Sequence, residues 1–368
     1  MGIRVLHVLH AYRAGGMENM IAEVASRLHG QGFSLAVCAL TFSDQFKARL
    51  PVGVEVFELN RRGGVDMGCI LNLRKLVKRF RPHIVHSHNW NALVYCVAAL
   101  AGMSVPLMHG EHAKLYEWEL SFWRLKLRQL LYLRCDLVHT VGLAQLRELS
   151  LLGVLDQLQP ICNGVDTNRF SPGEKLECKK LINLPADAIC IGVVARFVPE
   201  KRHSLVLEAF GRLGVWFPNL FLVLVGSGGG CENDIRVMVE KHPASGRILW
   251  LGHRDDVANI YKAMDLLLIA SVAEGMSNVC LEAMSCGVPA LVNSDSGTDE
   301  LIQDGVNGFV ADMRTAEELA NALVSLLENP RLLESVGRNA RAKIEREYRL
   351  DVTAQRYASA YKQLADVA

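Results

Sequence analysis

The sequence predicts an α/β protein of two domains, each a mostly parallel sheet covered by helices on both faces. Three observations carry this. The chain has 368 residues, half of them hydrophobic, more than one ordinary core absorbs and enough for two. Short apolar runs of strand length alternate with longer stretches whose apolar residues recur at helical spacing, the pattern of βα units. The alternation is interrupted by a polar, proline-bearing stretch from Gln159 to Pro172, the natural hinge, and restarts after Asn163.

Taken in order, a first strand is expected at Ile3 to Leu9. It leads through Ala14, Gly15 and Gly16 into a helix with Met17, Met20, Ile21, Val24, Ala25 and Leu28 on one face. Apolar runs at Ser34 to Leu40 and Val54 to Leu59 precede a helical segment around Ile70 to Phe80, and strands follow at His83 to His86 and Val105 to His109. In the second half strands are expected at Ile189 to Ala195, Leu220 to Val225, Ile248 to Leu251, Leu266 to Ile269 and Ala290 to Val292, each followed by a helix. Two amphipathic helices close it, Thr315 to Leu327 and Arg331 to Tyr348. A last helix runs to about Ala365 and is expected to pack back toward the first domain. The expected domains are 1–165 and 166–348, with 349–368 as the returning helix.

Bulk composition removes several function classes. Forty basic residues against thirty-nine acidic ones leave a charge of +1, so no global field holds nucleic acid, and any anion must be bound locally. Ten scattered cysteines without a C-x-x-C pair read as reduced, core-filling residues of a cytoplasmic protein. The N-terminal apolar run alternates with histidines and reads as a strand, not a leader. No segment approaches the ~20 apolar residues of a spanning helix.

In open α/β sheets, ligands bind beyond the carboxyl ends of the strands, so strand-to-helix turns are the places to examine. The first is Gly15-Gly16-Met17-Glu18, where two residues without a Cβ let backbone amides approach a phosphate at a helix start; equally, it is a tight turn that binds nothing. The second, Arg196 to Lys201, sets two cations beyond a strand, suited to a diphosphate leaving group without a metal; elsewhere such residues are solvated surface charges. In the third, Glu274 and Glu282 bracket a loop with Gly275, Ser277, Asn278 and Val279 that opens a helix. Loop amides there suit phosphate and Glu282 a ribose diol, whereas the plainer alternative leaves Glu282 solvated on the helix surface. The fourth is His109-Gly110-Glu111-His112, placed after its strand. Together with His86-Ser87-His88 it invites a metal, but the spacing is not H-E-x-x-H, and no metal or cofactor is expected; His109 fits better as a sugar or transition-state contact. P-loop, nucleophile-elbow and dinucleotide fingerprints are missing, Gly226-x-Gly228 being followed by Cys231 where a third glycine belongs.

With these residues in hand, the chain resembles glycosyltransferase family 4, retaining enzymes of the GT-B fold with two Rossmann-like domains facing across a cleft. The resemblance runs over nearly the whole length, through GGMEN at Gly15, VHSHNW at Val85, HGEH at His109, NGVD at Asn163, ARFVPEK at Ala195, LGHRDDV at Leu251 and EGMSNVCLEAMSCGVP at Glu274. Within that family it is most similar to the sugar transferases encoded with exopolysaccharide and exosortase systems. The resemblance implies that Gly15 and Gly16 meet the donor phosphate and His109 the donor sugar. It further implies that Arg196 and Lys201 hold the pyrophosphate, Glu274 the sugar and Glu282 the ribose, with loop amides from Ser277, Asn278 and Val279. Two departures stand out: Ser296-Gly297 where many relatives carry two glycines, and a longer glycine run at Gly226 to Gly230.

The expected partners are a nucleotide-sugar donor and a glycan or lipid-linked acceptor. A membrane contact is also open through residues 114–134, where Tyr116, Trp118, Phe122, Trp123 and Tyr132 interleave with Arg124, Lys126, Arg128 and Arg134, and Leu115, Trp118, Phe122 and Leu125 share a helical stripe. The other reading of that stripe is ordinary core packing. A nucleotide-sugar epimerase or hydrolase, or a two-lobed sugar-binding protein, would share the domain plan.

Overall fold

The computed structural model describes residues 2–112, 115, 119–151, 158–214, 216–272 and 274–367. They form two compact units, Met1–Gly164 with Leu350–Ala368, and Val165–Arg349.

The first unit holds seven strands: β1 (Ile3–Leu9), β2 (Phe33–Ala39), β3 (Glu55–Glu58), β4 (Ile84–His88), β5 (Leu107–Glu111), β6 (Leu137–Thr140) and β7 (Leu158–Pro160). All pair in parallel, in the order β3-β2-β1-β4-β5-β6-β7. Among the described residues five α-helices lie between them: α1 (Gly16–Leu28), α2 (Met67–Phe80), α3 (Asn89–Ala99), α4 (Phe122–Tyr132) and α5 (Leu143–Ser150). Val5, Ile84, Met108 and Leu137 lie on the face covered by α1 and by the C-terminal helix (Leu350–Val367) through Tyr357, Tyr361 and Leu364. The opposite face, with Leu6, Val85, Leu107 and Val138, is covered by α2 and α3. Apolar residues on both faces are what a central parallel strand requires.

β4 and β5 run two residues further than the sequence suggests, because His86-Ser87-His88 and His109-Gly110-Glu111 look like strand ends and are fully buried ladder positions instead. Polar residues can continue a buried strand when each finds a partner. That alternation puts His7, His86, His88 and His139 on the face of the C-terminal helix, and Ser87, His109 and Glu111 on the other.

The second unit has six parallel strands: β8 (Ile189–Val194), β9 (Leu220–Val225), β10 (Ile248–Gly252), β11 (Leu266–Ile269), β12 (Ala290–Asn293) and β13 (Phe309–Ala311), ordered β10-β9-β8-β11-β12-β13. Its helices are α6 (Lys175–Leu181), α7 (His203–Leu213), α8 (Glu232–Glu240), α9 (Val257–Ala263), α10 (Asn278–Ser285), α11 (Ala316–Leu327) and α12 (Pro330–Glu347). Thr315 and Glu318 close a reciprocal capping box at the start of α11. Strand order reverses between β1 and β4 in one unit and between β8 and β11 in the other, and at such points the diverging connections open a crevice. All ten cysteines are free. Among the described residues no helix is long and apolar enough to cross a membrane.

Candidate active site

In the second unit the candidate residues gather at the reversal between β8 and β11. Arg196 follows β8 and is exposed; among the described residues its guanidinium makes no hydrogen bond or ion pair. The loop carrying it is braced by the glycine run after β9. The Phe197 N–H donates to the Gly228 carbonyl at 2.8 Å, and a Cβ at Gly226 or Gly229 would come within 2.0 or 2.2 Å of the carbonyl oxygens of Ala195 and Phe197. Both glycines also sit at positive φ, +137° and +103°. Backbone therefore packs on backbone at Gly226 and Gly229, which accounts for those two glycines. Phe197 anchors the loop by stacking on Trp250 at 4.2 Å.

Lys201 ends a single turn begun by Pro199, and its ammonium pairs with the Glu274 carboxylate. The loop holding Glu274 is tied on both sides. Val272 N–H donates to the Glu200 carbonyl at 3.1 Å and Glu274 N–H to the Ser296 carbonyl at 2.6 Å. Ser277 caps α10, its Oγ accepting from Cys280 N–H at 3.4 Å, so Asn278 and Val279 form the helix start. A void of about 20 Å³ is lined by Ala195, Lys201, Glu274, Ser277 and Val279. Glu282 lies one turn into α10 and is half-buried, with the Tyr261 hydroxyl donating to its Oε2 at 2.7 Å. Burial first, then the Glu282 charge, pushes the Tyr261 phenol far up, so it stays a donor. Glu282 is thus an oriented carboxylate, not a solvated one. Nothing in the sequence marked Tyr261.

In the first unit, Gly15 caps α1 in an extended conformation (φ −171°), so it needs no left-handed turn; a Cβ there would lie 2.3 Å from Glu18 Oε2. Gly16 is the first residue of the helix. Asn89 follows β4 in the left-handed region (φ 60°); its Oδ1 accepts from His112 N–H at 3.1 Å and its Nδ2 reaches Met17 Sδ at 3.4 Å. One side chain thereby links the ends of β4 and β5 with the start of α1.

His109 does not follow its strand but lies inside it, fully buried, with Nδ1 2.8 Å from Ser87 Oγ and Nε2 3.1 Å from Glu111 Oε1. Glu111 also accepts from Tyr132 at 2.6 Å and from Arg128, which reaches Glu119 at 2.5 Å. Burial would raise the Glu111 carboxyl, but Arg128, with His109 and Tyr132, holds it at about 2. The histidine at the carboxyl end of β5 is His112, half-buried, which the sequence reading named in the motif while giving the sugar contact to His109.

On the other face His112 Nε2 lies 2.9 Å from His88 Nδ1, His88 Nε2 lies 2.9 Å from His7 Nδ1, and His86 bridges Tyr361 Oη at 2.9 Å and His139 Nε2 at 3.0 Å. A Cβ at Gly110 would fall 2.4 Å from His139 Nε2, so only glycine permits the cluster. One nitrogen from each of His7, His86 and His88 lies within 4.8 Å of the others, close enough to share a metal ion. Both nitrogens of His86 and of His88 are already paired with neighbours, so a metal would have to displace hydrogen bonds.

The stripe expected along 114–134 is divided. Lys114, Tyr116 and Trp118 lie outside the described residues. Leu115 and Leu125 pack on the core, and Arg128 and Tyr132 are buried rather than solvated, while Phe122, Trp123, Leu127, Leu130 and Leu133 face outward, Trp123 being 79% exposed.

Residues 14–169 match the model of Glycosyltransferase Family 4 and residues 175–343 that of Glycosyl transferases group 1. An Escherichia coli protein, UDP-Gal:alpha-D-GlcNAc-diphosphoundecaprenol alpha-1,3-galactosyltransferase, is 29% identical over 76% of this chain and 75% of its own length. The putative glycosyltransferase EpsF of Bacillus subtilis (strain 168) is 26% identical over 86% and 85%. Among solved structures, Anabaena Alr3699/HepE in complex with UDP-glucose superposes with a TM-score of 0.86 at 22% identity, covering 98% of this chain and 100% of that one. WaaG, a glycosyltransferase involved in lipopolysaccharide biosynthesis, gives 0.78 at 18% identity over 97% and 99%. The chain is a glycosyltransferase of the GT-B fold, belonging to the family whose Family 4 domain is followed by a group 1 domain.

Proposed function

We propose that the chain is a retaining transferase that moves a hexose-type sugar from a nucleotide-sugar donor to a glycan or lipid-linked acceptor in the synthesis of exopolysaccharide or another cell-surface glycan. The observation that carries this is the reversal between β8 and β11. It gathers an unpaired Arg196, the Lys201–Glu274 pair, the Ser277-capped start of α10 and the Tyr261-oriented Glu282. Cations and helix-start amides suit a diphosphate, and an oriented carboxylate suits a ribose diol. A UDP-hexose is the first donor to test. The E. coli relative is named for UDP-Gal and a diphosphoundecaprenol-linked acceptor, and HepE has been solved with UDP-glucose.

In this reading the donor's bond from the anomeric carbon to the phosphate oxygen breaks and that oxygen keeps the electron pair. The acceptor oxygen bonds to the same face of that carbon, and its proton passes to the departing phosphate. Arg196 and Lys201 stabilise the growing charge, and no metal or protein nucleophile takes part. Gly15 and Gly16 let the start of α1 approach phosphate, Glu274 bonds the sugar, and Ser277, Asn278 and Val279 supply amides. His112, at the end of β5, meets a sugar oxygen in the place first given to His109, which instead holds Glu111 and Ser87 in the sheet. The protein works in the cytoplasm, with the apolar outer face of α4 against the inner membrane surface.

Saturation-transfer NMR against UDP-, GDP- and ADP-sugars tests the donor site. One nucleotide sugar is expected to bind, with affinity about ten- to a hundredfold weaker in Glu282→Ala, since hydrogen bonds to a charged group contribute about 1.5–3 kcal/mol. No binding of any nucleotide sugar by folded protein would end this reading.

A further inference from the structure

A neutral imidazole carries one N–H and one lone pair, so a ring bonded through both nitrogens donates from one and accepts at the other. His88 is such a ring, held between His7 Nδ1 and His112 Nε2, each at 2.9 Å. Only two self-consistent arrangements of the three rings exist. In the first, His7 Nδ1–H donates to His88 Nε2, His88 Nδ1–H donates to His112 Nε2, and His112 carries its proton on Nδ1. In the second every bond is reversed, so that His112 carries its proton on Nε2 and so must His7.

His7 Nε2 discriminates between them. It is buried and, among the described residues, has no hydrogen-bond partner. The first arrangement leaves a bare lone pair there; the second leaves an N–H with nothing to receive it, and orphaned buried N–H groups are the rarer of the two. Charged alternatives are removed by burial, which pushes His7 down to about 3 and His112 to about 4, with His88 also well below its ordinary value. At the outer end, no described group bonds His112 Nδ1, while Asn89 fixes the backbone N–H of that residue at 3.1 Å. Among the described residues the histidine chain therefore has a closed inner end and an open outer one.

We propose that His7 and His88 are positioning residues that fix His112 as the Nδ1–H tautomer, so that the ring offers a substrate oxygen a hydrogen-bond donor and not a base. The use of that donor on a sugar hydroxyl or phosphate oxygen rests on the transferase reading above; the tautomer does not.

The test is imidazole N–H correlation NMR on the full chain labelled with ¹⁵N-histidine, beside zinc analysis of the protein as purified. Wild type should show His112 protonated on Nδ1 and bare at Nε2, and His7→Phe, which removes the inner donor, should let the two tautomers of His112 exchange. The wild-type spectrum stands alone if that variant does not fold. In turnover, His112→Asn places an N–H where Nδ1 was and should keep a kcat/KM at least about tenfold above His112→Gln, whose amide falls at the Nε2 position, the worth of about one hydrogen bond. His112 protonated on Nε2, an unchanged spectrum in folded His7→Phe, or stoichiometric zinc lost with that substitution would overturn the inference. The expected tautomer in a protein that binds no nucleotide sugar would instead sink the transferase reading and leave the histidine chain intact.

Discussion

Arg196 and Glu282 follow neighbouring strands of one sheet, yet their surroundings assign them different work. Glu282 is held by Tyr261 before any ligand arrives, so its contribution is present in the ground state as well as the transition state. Arg196 is exposed and unpaired among the described residues, and the charge it would meet grows only as the leaving group departs. An interaction made only in the transition state appears in kcat, whereas uniform binding appears in KM. Arg196→Ala should therefore lower kcat by about 10²–10³, the effect of removing one preorganised group that stabilises developing charge. Steady-state kinetics with a bound donor established beforehand separates the cases, and a raised KM at unchanged kcat would show Arg196 to be a ground-state contact.

At the scale of elements, α4 shows how one helix divides its faces. Leu125, Arg128 and Tyr132 turn inward, the last two to hold Glu111, and Phe122, Trp123 and Leu127 turn outward beside the exposed Lys126. Exposed aromatics interleaved with cations suit an anionic bilayer surface. Wild type should float with phosphatidylglycerol-containing vesicles and fail to do so with Phe122, Trp123 and Leu127 all changed to Ser; wild type left at the bottom of the gradient would remove the membrane from the scheme. The same helix shows where sequence is legible. Strand and helix rhythm identified ten strands of the two sheets, because apolar periodicity follows directly from a buried parallel ladder, but not the short edge-side strands β6, β7 and β13. Arg128 was grouped with the cations of a possible membrane face, because its partner, Glu111, lies on a different element, and no local spacing reports such a pairing. The ends of β4 and β5 were missed for the same reason: His86, His88 and His109 continue their strands only because distant groups satisfy their rings. In the second unit, by contrast, Arg196, Lys201, Glu274 and Ser277 were visible because each sits between a strand and the helix that follows, and Glu282 because it lies in the first turns of such a helix, where position follows from the element order. Tyr261, set on α9, gave no such sign.

For the molecule as a whole, the histidine cluster loads one unit with an acid sensitivity that the other largely lacks. Burial, the first cause in each case, lowers His7 to about 3 and His112 to about 4, and places His86, His88 and His139 well below the ordinary 6.5. A histidine whose folded value is depressed contributes stability that is fully present above its unfolded value and is lost as pH falls below it toward the folded value. The window therefore opens near pH 6.5 and runs down through about 4 for His112 and about 3 for His7. Other groups packed on the cluster do not oppose it there: Tyr357 and Tyr361 are pushed upward and stay neutral, and Glu111, held at about 2, stays charged. At pH 5 His7 and His112 each cost about 2 kcal/mol relative to neutral pH, and His86, His88 and His139 act in the same direction, against a whole stability of about 5–15 kcal/mol for a typical domain. The second unit carries one comparable histidine, His203, lowered to about 4. Hydrogen exchange followed from pH 7.5 to 5.5 should show protection of β1, β4, β5 and β6 collapsing while β8, β9 and β11 keep theirs, and His7→Phe should shallow the slope for the first set by about one proton. Parallel loss in both sets, or constant protection in the first, would mean that the cluster takes up protons without unfolding and that its rings are not held neutral by the sheet.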